Sequence, residues 1–289
     1  MSDQRESWSS RPKALPIEER VDPLVNAQRT GYTRQGFAVA YHAHRPRPPL
    51  AIVDLLTQLA QTKRPALVVD LGSGTGISTV LWAPHAEHVI GIEPLDEMRT
   101  VAMGATTAPN VNFASGVAQA IELADAAADI VTCAQSLHDM EPERALAEIA
   151  RVLRTGGVFA AYDYDWPPVV HREAEEAFFA FARRIGDLRK RHGIRSEMQQ
   201  WDKAGHLDRI LACGHFRYVR ELSLHNTEPC SAERWLGFAL TLGHVPPVLE
   251  LGIGDDEVGL TSLRETAQRI FGMQKLPWYV SYCVRVAVK

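Results

Sequence analysis

Between about residues 60 and 165 the chain alternates short apolar runs with amphipathic stretches. The runs "ALVVDLG", "HVIGIE", "VNFAS", "DIVTCAQ" and "GVFAAYDYD" hold apolar residues side by side, as strands do when both faces are buried. Between them the spacing predicts a helix from about Ser78, a second over "LDEMRTVAM" and a third over "PERALAEIARVLR". Strand and helix in turn specify an α/β fold, a doubly wound and mostly parallel sheet covered on both sides. Ahead of it, Pro46, Pro48 and Pro49 end one segment, and Leu50 to Leu59 repeats apolar residues at helical spacing. Beyond residue 165 the rhythm changes. "REAEEAFFAFARRIGDLRKRH" and "AGHLDRILACG" are helical, "FRYVRELSLH" alternates like a strand, residues 231–272 form a helical insert, and "WYVSYCVRVAVK" is the last strand. The expected division is an arm over 1–40, a core over 41–165, helices and strand six over 166–230, a helical lid over 231–275 and the last strand over 276–289.

Composition narrows the partners. With 289 residues, a net charge of −4 and a pI near 6.3, the chain has no global attraction for nucleic acid or anionic lipid. No apolar run reaches the roughly 18 residues of a membrane span, and the first thirty residues lack the apolar centre of a signal peptide. Cys133, Cys213, Cys230 and Cys283 lie far apart without a CxxC pair, and His42 and His44 have no clustered companions, so no metal is expected. The basic run from Arg183 to Arg195, interrupted by Asp187, reads as a solvated helix face. The expectation is a cytoplasmic protein that engages neither membrane nor nucleic acid.

Candidate chemistry gathers at "LVVDLGSGTGIST", residues 67–79. Gly72, Gly74 and Gly76 follow an apolar strand, as in turns whose backbone meets a nucleotide. A dinucleotide fingerprint would need a further glycine where Ile77 stands. Asp70, two residues ahead of the glycines, would repel a pyrophosphate but suits an ammonium group. Glu93 ends the next strand, where a carboxylate accepts hydrogen bonds from two ribose hydroxyls. The pattern therefore points to a nucleoside with an amino-acid tail.

"VVDLGSGTG", "VIGIEP", "DIVTCAQSLHDM" and "IARVLRTGGVFAAYDY", in this order, resemble class I S-adenosylmethionine-dependent methyltransferases. They are most similar to the small-molecule branch that includes the ubiquinone/menaquinone-type and trans-aconitate-type enzymes (methyltransferase type 11). The resemblance covers roughly residues 40–165. It implies a Rossmann-like seven-stranded sheet with a helical cap, S-adenosyl-L-methionine as methyl donor and S-adenosyl-L-homocysteine as product. It further implies that Asp70, Gly72, Ser73, Gly74 and Gly76 hold the methionine moiety, Glu93 the ribose, and Pro94 and Met98 the adenine. Where the family often has an acid this chain has Val117, so backbone groups of Val117 and Ala118 or the amide of Gln119 take that contact. Ala134 and Gln135 lie beside the methionine tail. "YHAHRPRP" resembles the family's Tyr-x-x-x-Arg-Pro entrance, placing Tyr41 over the sulfonium and Arg45 on the cofactor carboxylate.

Methyl transfer from a sulfonium needs alignment first, and a base only if the acceptor arrives protonated. His138, just past strand four, is the candidate base or acceptor-orienting group, with packing under the loop as its alternative. Asp163 ends strand five at the same edge. The expected acceptor is a small, largely apolar molecule of secondary metabolism. RNA or protein methylation, and a SAM-binding protein promoting cyclisation or regulation without net transfer, stay open as alternatives. Trp8, Tyr32 and Phe37 of the arm and Trp235, Phe238, Leu240 and Leu242 of the insert are expected to close the acceptor pocket. A homo-oligomer formed through the arm is one arrangement the sequence allows.

Overall fold

Alternation inside the apolar runs sets the layers of the fold. A computed structural model describes residues 21–289, so Trp8 and the first half of the arm lie outside the described residues. In chain order its helices and strands are α1 (Pro23–Gln28), α2 (Phe37–His44), α3 (Ala51–Leu59), β1 (Leu67–Leu71), β2 (His88–Ile92), α4 (Asp96–Gly104), β3 (Val111–Ala114), β4 (Ala128–Ala134), α5 (Pro142–Val152) and β5 (Leu153–Tyr164). They continue with α6 (Arg172–Arg191), α7 (His206–Ala212), β6 (Tyr218–Cys230), α8 (Ala232–Leu240), α9 (Pro246–Leu249), α10 (Asp255–Val258), α11 (Leu260–Phe271) and β7 (Leu276–Val288). Val68, Ile130, Val158 and Ala160 turn to one face of the sheet, where Leu56, Phe181, Trp235 and Phe271 meet them. Val69, Leu71, Val131, Phe159 and Ala161 turn to the other, against Leu146, Ile149 and Ile210. The period of two splits each strand between two cores, which is why its sequence is apolar throughout.

The seven strands lie in the order β3-β2-β1-β4-β5-β7-β6, parallel except for β7, which runs antiparallel between β5 and β6. The doubly wound α/β fold is thus present as the sequence predicts. Three boundaries differ. The helix expected from Ser78 is one 3₁₀ turn, Thr79–Trp82. Thr79 and Val80 are β-branched, and Pro84 has no N–H to continue the helix. The Asn110 amide instead donates to the carbonyls of Ala83 at 2.8 Å and Ala86 at 3.1 Å. Strand β5 begins at Leu153, inside the stretch expected to close α5, because Leu153 already pairs with Ala128. The insert is four short helices, α8 to α11, rather than one long helical region.

Arg183, Arg184, Lys190 and Arg191 are exposed on α6, and Arg191 pairs with Glu257 at 3.0 Å. Among the described residues no helix is long and apolar enough to cross a membrane, and no group of three or more His, Cys, Asp or Glu is arranged for a metal ion.

Helix α8 packs directly on α2, and the contact depends on Gly237. A Cβ at that position would stand 2.1 Å from His44 Cδ2, inside the imidazole ring. Gly237→Ala should therefore force α2 and α8 apart and lower stability by about 1–3 kcal/mol, the usual cost of overpacking. Urea denaturation checks this, and an unchanged midpoint would show that α2 yields freely.

Candidate active site

The strand order reverses between β1 and β4, where open α/β sheets bind ligands at the carboxyl ends of their strands. A cavity of about 1150 Å³, mouth included, opens at this point.

The loop after β1 forms its floor. Gly74 has φ +55°, a conformation that L side chains rarely adopt, and a Cβ there would meet nothing within 4 Å. Its N–H donates to Glu93 Oε2 at 2.9 Å, and Leu95 N–H donates to Oε1 at 2.9 Å. Burial raises the Glu93 pKa, opposed by those two amides. Asp70 behaves differently from a ligand-facing carboxylate. It is wholly buried and does not line the cavity. Thr79 Oγ1 donates to one of its oxygens and Thr132 Oγ1 to the other, both at 2.7 Å. Burial pushes its pKa to about 6 against those two hydroxyls. Gly76 also lies off the cavity wall: a Cβ there would collide with Phe113 at 2.8 Å, so this glycine serves the packing of loop on sheet.

Gly72, Ser73, Pro94 and Met98 line one side of the cavity, facing Val117, Ala118 and Gln119, with Ala134 and Gln135 at the end of β4. Gln135 has φ +56°, unusual for a residue with a side chain and a kind of strain that recurs at ligand sites. Ser73 Oγ, Thr75 Oγ1, Gln135 Nε2 and Arg45 Nε are buried in residues lining the cavity and have no hydrogen-bond partner among the described residues. Unpartnered buried polar groups cost about 1–3 kcal/mol each, and a polar ligand would relieve them.

The roof comes from the N-terminal segment of the same chain. Pro23, Ala27, Thr30, Tyr32 and Tyr41 line the cavity, with Tyr32 stacked on Phe37 at 5.2 Å. Asn26 clasps this segment down: its amide donates to Gln199 O at 2.9 Å and Asp139 O at 3.3 Å, and its oxygen accepts from Gln199 N at 2.7 Å. Arg45 lies beneath, its guanidinium 4.3 Å from the Tyr41 ring centre. It donates to Tyr164 Oη at 2.5 Å and to the Thr241 carbonyl, and no carboxylate pairs with it among the described residues. The 231–275 insert supplies no lining residue. It buttresses α2 from behind, where Arg234 donates to Arg45 O at 3.0 Å and pairs with Glu228 at 2.6 Å.

His138 and Asp163 do not line the cavity either. Asp163 is paired with Lys203 at 2.8 Å and Arg285 at 3.1 Å. Burial would raise its pKa, but Lys203, His138 and His206 together outweigh that and hold it below the ordinary value. Burial, then Lys203, lowers the His138 pKa to about 3. Its Nε2 stands 3.3 Å from Asp139 Oδ1, and its buried Nδ1 has no hydrogen-bond partner among the described residues. Asp139, by contrast, lines the cavity, as do Met140 and Met198. Sequence reasoning passed over all three. The only available signal for Asp139 was its place in "QSLHDM" at the sheet's carboxyl edge.

A methyltransferase domain model matches residues 69–161. An uncharacterized methyltransferase-like protein of Schizosaccharomyces pombe is 36% identical over 118 residues, 40% of this chain and 45% of its own length. Demethylmenaquinone methyltransferase of Renibacterium salmoninarum is 32% identical over 102 residues, 35% of this chain and 42% of its own. The matched stretch thus spans less than half of either relative. A solved structure from Anaeromyxobacter dehalogenans, provisionally assigned as a type II methyltransferase, superposes with a TM-score of 0.60 at 23% identity, covering 84% of this chain and 97% of that one.

The clasp makes a direct prediction. Asn26→Ala leaves the Gln199 N–H and two carbonyls without their partner, at a cost of about 1–3 kcal/mol. Hydrogen exchange should quicken across residues 23–44 while the strands of the sheet keep their protection. Uniform loosening of the whole molecule would instead make Asn26 an ordinary core residue.

Proposed function

We propose that this chain, whose residues 69–161 match a methyltransferase domain, is a class I S-adenosylmethionine-dependent enzyme that transfers a methyl group from S-adenosyl-L-methionine to a small, largely apolar organic molecule. The observation that carries this reading is the junction of Glu93 with the glycine loop. A buried carboxylate there is oriented by two backbone amides and lines the cavity at the end of β2.

The unpartnered groups fit the cofactor's chemistry. Ser73 and Thr75 hydroxyls, the Gln135 amide and the Arg45 guanidinium suit a zwitterionic amino-acid tail, with Arg45 on its carboxylate. Glu93 accepts from the ribose hydroxyls, while Pro94, Leu95, Met98, Val117, Ala118 and Gln119, which line the same cavity, take the adenine. Asp70 holds the loop in shape from behind instead of touching the ligand. Bound there, the cofactor supplies a methyl group already activated on a sulfonium. The protein's task is alignment and exclusion of water, which Tyr41 and Tyr32 perform from the roof. An acceptor meeting Tyr32, Met140, Met198 and Pro23 meets mainly apolar surface, which supports a small organic molecule over a nucleic acid.

Isothermal calorimetry tests the reading. S-adenosylhomocysteine should bind and NAD should not; NAD binding alone would overturn it. Glu93→Ala should weaken S-adenosylhomocysteine by about 1.5–3 kcal/mol, the worth of hydrogen bonds to a charged acceptor.

A further inference from the structure

We propose that Asp139 is the base of the reaction, and that the acceptor presents it with a phenolic or enolic hydroxyl. This deepens the methyltransferase reading and rests on it. Asp139 lies on the 3₁₀ turn Leu137–Asp139 that follows β4, on the wall of the cavity, with 21% of its side chain exposed. Its neighbours fix one oxygen and leave the other. Gln200 Nε2 donates to Oδ1 at 2.8 Å, and His138 Nε2 stands 3.3 Å from the same atom. No hydrogen bond reaches Oδ2 among the described residues, and no lysine or arginine is ion-paired with this carboxylate. Around it are Tyr32 and Tyr41 of the roof, Lys203, Asp163 and Glu93, with His138 and Gln200 in contact. Lys203 is committed elsewhere, to Asp163 and to Gln135 Oε1 at 2.6 Å.

A cavity-facing carboxylate oxygen with no internal partner accepts a hydrogen bond from whatever occupies the apolar space before it. Two candidate donors share that chemistry, a hydroxyl and a protonated amine. With Lys203 near Asp139 and Arg45 on the same wall, an ammonium would approach cations, whereas a neutral hydroxyl would not. In the step, the hydroxyl proton passes to Asp139 Oδ2. The oxygen keeps that bond's electron pair and forms the new bond to the methyl carbon, the methyl–sulfur pair stays on sulfur, and the proton leaves to solvent. Burial, opposed by Gln200 and Lys203, raises the Asp139 pKa to about 7, matched to proton transfer near neutrality. Below that pH the carboxyl is protonated and cannot accept, so the reaction falls as pH drops. His138 acts here as a positioning residue rather than as the base.

The test uses the full chain, saturated with S-adenosylhomocysteine, and phenol as a probe, whose own ionisation near pH ~10 lies well above that of Asp139. In the wild type, phenol binding measured by calorimetry should tighten as pH rises through about 7. Asp139→Asn should bind S-adenosylhomocysteine unchanged, lose the pH dependence, and bind the probe about ten- to a hundredfold more weakly. Its turnover with phenolic acceptors should fall by ~10²–10⁴-fold. Gln200→Ala removes a donor to the carboxylate and should move the pH midpoint upward. Unaltered probe binding in Asp139→Asn overturns the proposal. So does a site that takes benzylamine and refuses phenol. Failure of the wild type to bind S-adenosylhomocysteine would remove the parent reading instead, a result the calorimetry separates from the other two.

Discussion

Asp70 sits where β1 hands the chain to the glycine loop, and its two threonine contacts decide where everything at that edge goes. One bond reaches sideways to β4 through Thr132; the other reaches forward to the 3₁₀ turn through Thr79. A carboxylate taken fully out of water is costly unless it is hydrogen-bonded, so neither contact is dispensable. With the loop pinned at both ends, Gly74 presents its N–H to Glu93, and the ends of β1 and β2 share one rigid junction. Sheet, loop and candidate cofactor groove are thus coupled through one side chain that lies off the cavity.

A second layer of control comes from outside the parallel core. The antiparallel β7 inserts between β5 and β6, and its Arg285 bridges Asp163 to Glu221 at 2.9 Å. This ties the end of β5 to the edge strand and fills the space behind the cavity with paired charges. The roof segment is then held from two directions, by Asn26 from the side of the 137–139 turn and by α8 from behind α2. Both holds reach the backbone of residues that line the cavity, Asp139 through Asn26 and Arg45 through Arg234.

Strand positions and the glycine loop were readable because both are written in local spacing. The alternation of Val68 with Val69 and Leu71, or the run Gly72, Gly74, Gly76, needs no knowledge of distant residues. The role of Asp70 was not readable: a carboxylate aimed at a ligand and one gripped by Thr79 and Thr132 look alike when the second partner is 62 residues away. His138 and Asp139 pose the same problem at closer range. On a single 3₁₀ turn, adjacent side chains diverge steeply, and the packing of 197–203 against that turn decides which one meets the cavity. The insert was read as a lid from its apolar content, yet those residues bury themselves against α2, α6 and α11. The shorter segment 23–44 forms the cover, through a clasp whose partners stand 113 and 173 residues away in sequence.

That clasp has a kinetic meaning. Residues 23–44 lie over a groove whose other walls are strand ends and loops, and the Asn26 bonds hold this segment down. Lifting it breaks the three Asn26 hydrogen bonds together, a local unfolding event with its own free energy. The opening of this segment is then set by the stability of α1 and its contacts, apart from anything inside the groove.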